Sequence, residues 1–154
     1  MTNTAPRFRF LGTTDDVIQC ERCGKDELRS TVVLEVLDAD GNAEDVTYYG
    51  STCAARVLTE RTGRKHTGPK VLAEARAALT QLQNRMESAR RLLAHYAAVE
   101  ADDAAFLAAV KDAHRTHWRM DGYSSAEWLT FGREMMARNR QTIAAAEAAL
   151  HPAA

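Results

Sequence analysis

Between Leu72 and Tyr96 the apolar residues recur at alternating steps of three and four: Leu72, Ala75, Leu79, Leu82, Met86, Ala89, Leu93 and Tyr96. That spacing keeps them on one side of a helix and sustains a heptad seam over more than three heptads. Val71, Ala78, Leu92 and Val99 widen the seam into a face suited to a bundle rather than to a bare two-stranded coil. Glu74, Arg76, Arg85, Glu87, Arg90 and Arg91 fall on the outer side. About thirty helical residues span roughly 45 Å, which predicts an elongated helical part. Pro69 suits the first turn of this helix.

Further along, Asp102-Asp103 predicts the cap of a second helix, with Phe106, Val110, Ala113 and His117 inward. Neither Gly nor Pro interrupts residues 94–118, so one continuous helix is an open alternative. Asp121-Gly122 reads as a turn. Ser124 with Glu127 is a capping-box pair that opens a last helix, with Trp128, Phe131, Met135, Ile143, Ala146 and Leu150 facing the long one. Short connections make successive helices antiparallel neighbours. Residues 70–152 are therefore expected to form an antiparallel helical hairpin or three-helix bundle.

The first third of the chain has a different period. Residues 30–37 (Ser-Thr-Val-Val-Leu-Glu-Val-Leu) are rich in β-branched side chains, residues 38–42 (Asp-Ala-Asp-Gly-Asn) form a turn, and residues 44–49 (Glu-Asp-Val-Thr-Tyr-Tyr) read as a returning strand. Phe8-Arg9-Phe10 alternates and predicts a short edge strand. A short helix follows Tyr49, capped by Ser51 or Thr52, with Ala54, Val57 and Leu58 toward the hairpin and Gly63 as its stop.

The candidate chemistry sits at the two ends of this hairpin. Cys20 and Cys23 are spaced so that two thiolates reach one ion while N–H groups of the turn point at sulfur, and Gly24 follows where such a turn needs positive φ. Cys53 falls in the first turn of the short helix, where free N–H groups favour a thiolate. Knuckle, hairpin, then a helix carrying a ligand is an order that resembles treble-clef zinc fingers over roughly residues 17–62. The resemblance implies a zinc ion (Zn2+) and a fold, and no particular activity. The pattern Cys-x-x-Cys-Gly followed by Tyr-Gly-Ser-x-Cys-Ala also looks like small proteins of actinobacteria and their phages.

One position departs from the treble-clef pattern. The second helix ligand of that family would fall on Arg56, which cannot ligate. The fourth ligand is open: His66 is nearest in sequence, and His95, His114, His117 or water are alternatives. A helix-start cysteine can also be a nucleophile, but the knuckle upstream favours ligation for Cys53. His114 and His117 share a helical face without a carboxylate at a convincing spacing to complete a metal site.

The expected class is thus α+β, mostly α: a small zinc-binding knuckle, hairpin and helix module over residues 1–62, a basic linker over 63–69, and the helical part over 70–152. Aromatic residues make up only 6% of the chain, so its helices must approach closely through alanine rather than bulky side chains. Net charge is −1, evenly divided along the chain, which removes the basic surplus usual in a nucleic-acid binder. A local basic patch remains in Arg61, Arg64, Lys65 and Lys70 with Arg56. Arg115, Trp118, Arg119 and Tyr123 form a second, basic-aromatic cluster suited to a protein or a base.

Three cysteines cannot all pair within the chain, no apolar leader follows the start, and no run approaches the ~20 apolar residues of a membrane span. These features predict a cytoplasmic protein that does not meet the membrane. Phosphate loops, catalytic carboxylate pairs and hydrolase elbows are missing from the sequence. The expected function is non-enzymatic: an adaptor or regulator that binds a protein through its helices, with homodimerisation through the seam possible in the same way. The alternative is a nucleic-acid binder using the basic linker, and a cysteine-dependent enzyme is the third reading.

Overall fold

The computed structural model of the protein describes residues 7–114 and 122–152. Its elements are β1 (Arg7–Thr14), β2 (Thr31–Leu37), β3 (Ala43–Tyr49), α1 (Ser51–Thr62), α2 (Gly68–Ala97), α3 (Asp103–Ala113) and α4 (Ser125–Leu150). The α+β, mostly helical class expected from the sequence holds. Packing divides the chain into two compact units: Met1–Asn84 with Ala146–Ala154, and Arg85–Ala145. That division falls within α2 and α4 rather than at residues 63–69, because Val71 and Ala75 at the start of α2 are buried in the same cluster as the sheet.

In the first unit the strands form one antiparallel sheet, ordered β1-β2-β3. The β2–β3 hairpin closes where the sequence places it. Asp38 accepts N–H bonds from Asp40 and Asn42 on one carboxylate oxygen, at 2.9 and 2.8 Å, and Gly41 takes φ +88°. The Asn42 N–H and side-chain amide, with the neighbouring turn N–H groups, hold the Asp38 carboxyl below its ordinary value.

Four successive residues of β2, Thr31 to Leu34, are buried, which for an alternating strand means that both faces are covered. Val32 and Leu34 pack with Ala54, Ala55 and Leu58 of α1 and with Val71 and Ala75 of α2. Val33 pairs in register with Tyr48, whose hydroxyl donates to the Ala149 carbonyl at 2.9 Å. Thr14 likewise donates to the Leu150 carbonyl at 2.5 Å. The end of α4 is thereby fastened to β1 and β3 through backbone carbonyls.

β1 is longer than the predicted Phe8–Phe10 strand. It pairs with β2 across seven positions, with a bulge between Phe10 and Gly12 that lets the strand run on to Thr14. α1 starts at Ser51, but neither Ser51 nor Thr52 caps it. Gly50 occupies the cap position and makes no side-chain bond. Gly63 closes α1 as expected, in the left-handed conformation with its N–H on the Thr59 carbonyl at 3.0 Å.

The second unit holds the rest of α2, α3 and most of α4. α2 and α3 are separate helices, which settles the alternative of one continuous rod. The Asp102 side chain accepts from the N–H groups of Ala104 and Ala105, at 2.9 and 3.2 Å, and so starts α3 afresh. The Ser124–Glu127 box forms as predicted: the Ser124 N–H donates to the Glu127 carboxylate at 2.7 Å, and the Glu127 N–H to the Ser124 hydroxyl at 3.3 Å. The core of this unit joins Tyr96, Phe106, Val110, Trp128 and Met136. Of the predicted α4 face, Trp128, Phe131 and Met135 join this core, with Met136 deeper than Met135, whereas Ala146 and Leu150 belong to the first unit. Ala113 is exposed rather than inward, and His117 lies outside the described residues. Gly132 lets α4 come close to α3, since a methyl there would sit 2.8 Å from Val110 and 2.9 Å from Phe106.

Tyr96 is fully buried and stacks edge-on against Phe106, with ring centroids 5.6 Å apart. Its hydroxyl has no partner among the described residues. A buried hydroxyl without a hydrogen bond costs about 1–3 kcal/mol, whereas the ring keeps its packing without it. Tyr96→Phe is therefore expected to leave stability unchanged or raise it by about 1 kcal/mol in urea melts. A loss above that amount would show that the hydroxyl has a partner after all.

Candidate metal centre

The segment from Cys20 to Lys25 folds back on itself. The Cys20 N–H donates to the Lys25 carbonyl at 2.9 Å, the Gly24 N–H donates to the Cys20 carbonyl at 2.8 Å, and Gly24 takes φ +69°. A side chain at Gly24 would meet nothing, so the positive φ alone calls for glycine there. The turn is tied to the sheet at Tyr48. The Glu21 N–H donates to the Tyr48 carbonyl at 3.0 Å, and the Glu21 carboxylate accepts the Tyr48 N–H at 2.9 Å.

Tyr48 lies just before Gly50 and α1, so this double bond fixes the turn against the helix start. Arg22 adds a second tie. Its guanidinium reaches the Cys53 carbonyl at 3.4 Å and grips both carboxylate oxygens of Glu60 at 2.8 and 3.0 Å.

These ties bring the sulfurs of Cys20, Cys23 and Cys53 within 4.8 Å of one another. Cys20 and Cys53 are buried and Cys23 is exposed. The trio could hold a metal ion, and thiolates in that number at that separation are a soft donor set.

The electrostatics divide the two buried thiols. Burial alone would raise Cys20, but N–H groups of Gly50, Cys23 and Arg22, with the Cys23 thiol, outweigh it and bring it down to about 7. The same N–H groups would stabilise a coordinated thiolate. Cys53 is pushed up to about 11, first by burial and then by hydrogen bonds and charge from Cys23 and Cys20.

His66 is not brought to the thiols. Among the described residues the ligand group consists of the three cysteines alone. The Thr59 hydroxyl accepts the His66 N–H at 2.9 Å, and its Nε2 lies 3.3 Å from the Thr62 hydroxyl. α1 runs its full twelve residues before the chain reaches His66, and these threonine bonds hold the ring at the helix's far end. Arg56 is exposed on α1. Arg61, Arg64, Lys65 and Lys70 are exposed along the connection to α2. Arg115, Trp118 and Arg119 lie outside the described residues.

The residues that sequence reasoning missed are the supports: Glu21, Arg22, Tyr48 and Gly50. Their only sequence signal is position, beside or between the cysteines. Among the described residues no helix is long and apolar enough to cross a membrane. Compared with known proteins, the chain matches no family model, no curated protein and no solved structure.

Proposed function

We propose that the three thiols hold a zinc ion and that the protein is a non-enzymatic binding protein, with its zinc module built on the treble-clef plan. The observation that carries this reading is the convergence of Cys20, Cys23 and Cys53 within 4.8 Å. Tetrahedral zinc with Zn–S bonds of about 2.3 Å sets its sulfurs roughly 3.8 Å apart, a separation compatible with the trio's limit of 4.8 Å. Three thiolates suit zinc and discriminate against calcium and magnesium, which take oxygen ligands. The order of turn, β2–β3 hairpin and α1 supports the treble-clef plan, and Arg56 marks the departure from it. The fourth coordination position belongs to water or to a donor outside the cysteine group.

Catalysis by Cys53 is disfavoured by its electrostatics. A nucleophilic cysteine needs a lowered pKa, and burial drives this thiol upward. For binding, the helical unit offers an open groove of about 360 Å³ lined by Tyr123, Phe131, Thr130 and Glu134 among others, with Tyr123 43% exposed. An accessible aromatic beside carboxylates suits a protein partner.

Purified protein is expected to carry one zinc per chain by metal analysis, and Cys20→Ser and Cys53→Ser to lose it. Metal-free protein of undiminished stability would sink the zinc reading. Affinity capture with wild-type protein and with Tyr123→Ala tests the helical part. Capture of the same proteins by both would remove the groove from the proposal.

A further inference from the structure

Between α1 and the start of α2 lies an open groove of about 430 Å³, entirely within the first unit. Arg56 and Lys65 stand on its walls, with the hydroxyls of Thr52 and Thr67 beside them. Arg64 adjoins Lys65 in the chain, while Arg61 lies across α1 from the lining positions 52, 55, 56, 59 and 60; all four cations are exposed. Among the described residues none of the four has an ion-pair partner. The one acid on the wall, Glu60, has both carboxylate oxygens bound by Arg22. It offers the groove little free negative charge.

Four uncompensated cations on one short stretch are notable in a chain of net charge −1, because the remainder is then net acidic. Such a surface attracts a polyanion at this face and repels it elsewhere, which orients the encounter. We propose that this groove binds the phosphodiester backbone of a nucleic acid. Arg56 and Lys65 would contact successive phosphates, Thr52 and Thr67 would donate hydroxyl hydrogen bonds to their oxygens, and Arg64 would extend the track.

The lining holds no Phe, Tyr or Trp, and its one ring, His66, has its Nε2 3.3 Å from the Thr62 hydroxyl, so the contact proposed is with the backbone, independent of sequence. α2 begins on the groove wall at Gly68 without an acidic residue in its first turn, so its N–H groups reinforce the same sign of potential. This inference goes beyond the zinc-stabilised protein binder described above and does not depend on the groove of the helical unit.

The test uses the full-length protein, with a fluorescein-labelled mixed-sequence DNA as single strand and as duplex, followed by anisotropy between 50 and 200 mM salt. Three contacts predict a slope of log K against log salt of about −2 to −3, from 0.7–0.9 per phosphate neutralised. Arg56→Ala and Lys65→Ala should each make that slope shallower by about 1 for every sequence tried. Arg91→Ala, on α2 in the second unit and paired with Glu87, should leave it unchanged. All three positions are exposed, so circular dichroism should show unaltered folding.

Three outcomes overturn the proposal. One is no anisotropy change at ~100 µM protein in the lowest salt, where even non-specific binders respond. The second is binding that Arg56→Ala and Lys65→Ala leave intact. The third is displacement of the DNA by polyglutamate or by inorganic phosphate as readily as by unlabelled DNA, which would assign the groove to acidic protein or to a single anion.

Discussion

Cys20→Ser is expected to cost the first unit more than about 3 kcal/mol and to unfold its sheet, while leaving the helical unit folded. The reason lies in how little else holds that unit. Of the seven residues of its buried cluster, three are alanines (Ala54, Ala55 and Ala75), and at about 25 cal/mol per Å² such side chains contribute little by burial. Beyond Cys20 itself, the turn to Lys25 adds hydrogen bonds but no buried side chain, since residues 21–27 are all exposed. Structural zinc in zinc-finger peptides contributes about 10–16 kcal/mol to folding, so on the proposed zinc reading losing one thiolate removes a large part of what orders the segment. Amide exchange separates the two units: β2 and β3 should lose protection while the buried Trp128 keeps its emission spectrum. If β2 stays protected in the variant, or in wild type after chelation, the ion is not what holds the sheet.

If chelation leaves the sheet folded, the metal-free first unit should show a pH dependence of its own. The folded pKa of Cys20 is lowered from 9.0 to about 7, so its contribution is present above pH 9 and disappears as pH falls through 7. The folded pKa of Cys53 is raised from 9.0 to about 11, so its contribution is present below pH 9 and disappears as pH rises through 11. Chelated protein is accordingly expected to melt highest near pH 9.

Much of this architecture is legible in the sequence because the signals are local. The spacing of Cys20 and Cys23 with Gly24, the β-branched run of β2, the caps at Asp102 and Ser124 and the stop at Gly63 each depend on residues close together in the chain. The seam of α2 is equally legible as a face: Leu82, Met86, Ala89 and Tyr96 are all buried. What periodicity cannot report is the partner. Val71 and Ala75 belong to the sheet's cluster whereas Tyr96 belongs to that of α3 and α4, and nothing in the repeat changes between them.

Other features stay hidden for the same reason. The fastening of α4 to the sheet uses the carbonyls of Ala149 and Leu150, and a backbone acceptor leaves no trace in side-chain identity. Arg22 reads as a solvated charge until Glu60 is seen beside it. His66 was attractive as a ligand only because sequence distance stood in for spatial distance. α1 carries the chain away from the thiols before His66 is reached.

The second large effect is expected at Gly12, where backbone and packing demand glycine together. The residue is buried at the bulge of β1, opposite Val33, with φ +157°. A methyl group there would lie 2.9 Å from Leu79 Cβ and 3.2 Å from Leu79 Cα. The second contact is with the backbone of α2, which Val71, Ala75 and Leu82, all buried along the same helix in this unit, hold in place. Neither atom can move away by a change of rotamer. Overpacking of this kind costs about 1–3 kcal/mol and an unfavourable φ a further 1–3 kcal/mol, so Gly12→Ala should lose about 2–6 kcal/mol in urea melts.

Gly41→Ala provides the comparison, since φ is +88° there but a methyl would meet nothing within 4 Å. It should show the backbone term alone, near 1 kcal/mol. Adding Leu79→Ala to Gly12→Ala should restore little, because Cβ and Cα of residue 79 remain where they clash. Stability within ~0.5 kcal/mol of wild type for Gly12→Ala, the range of an ordinary surface substitution, would mean that β1 does not press against α2 at this bulge.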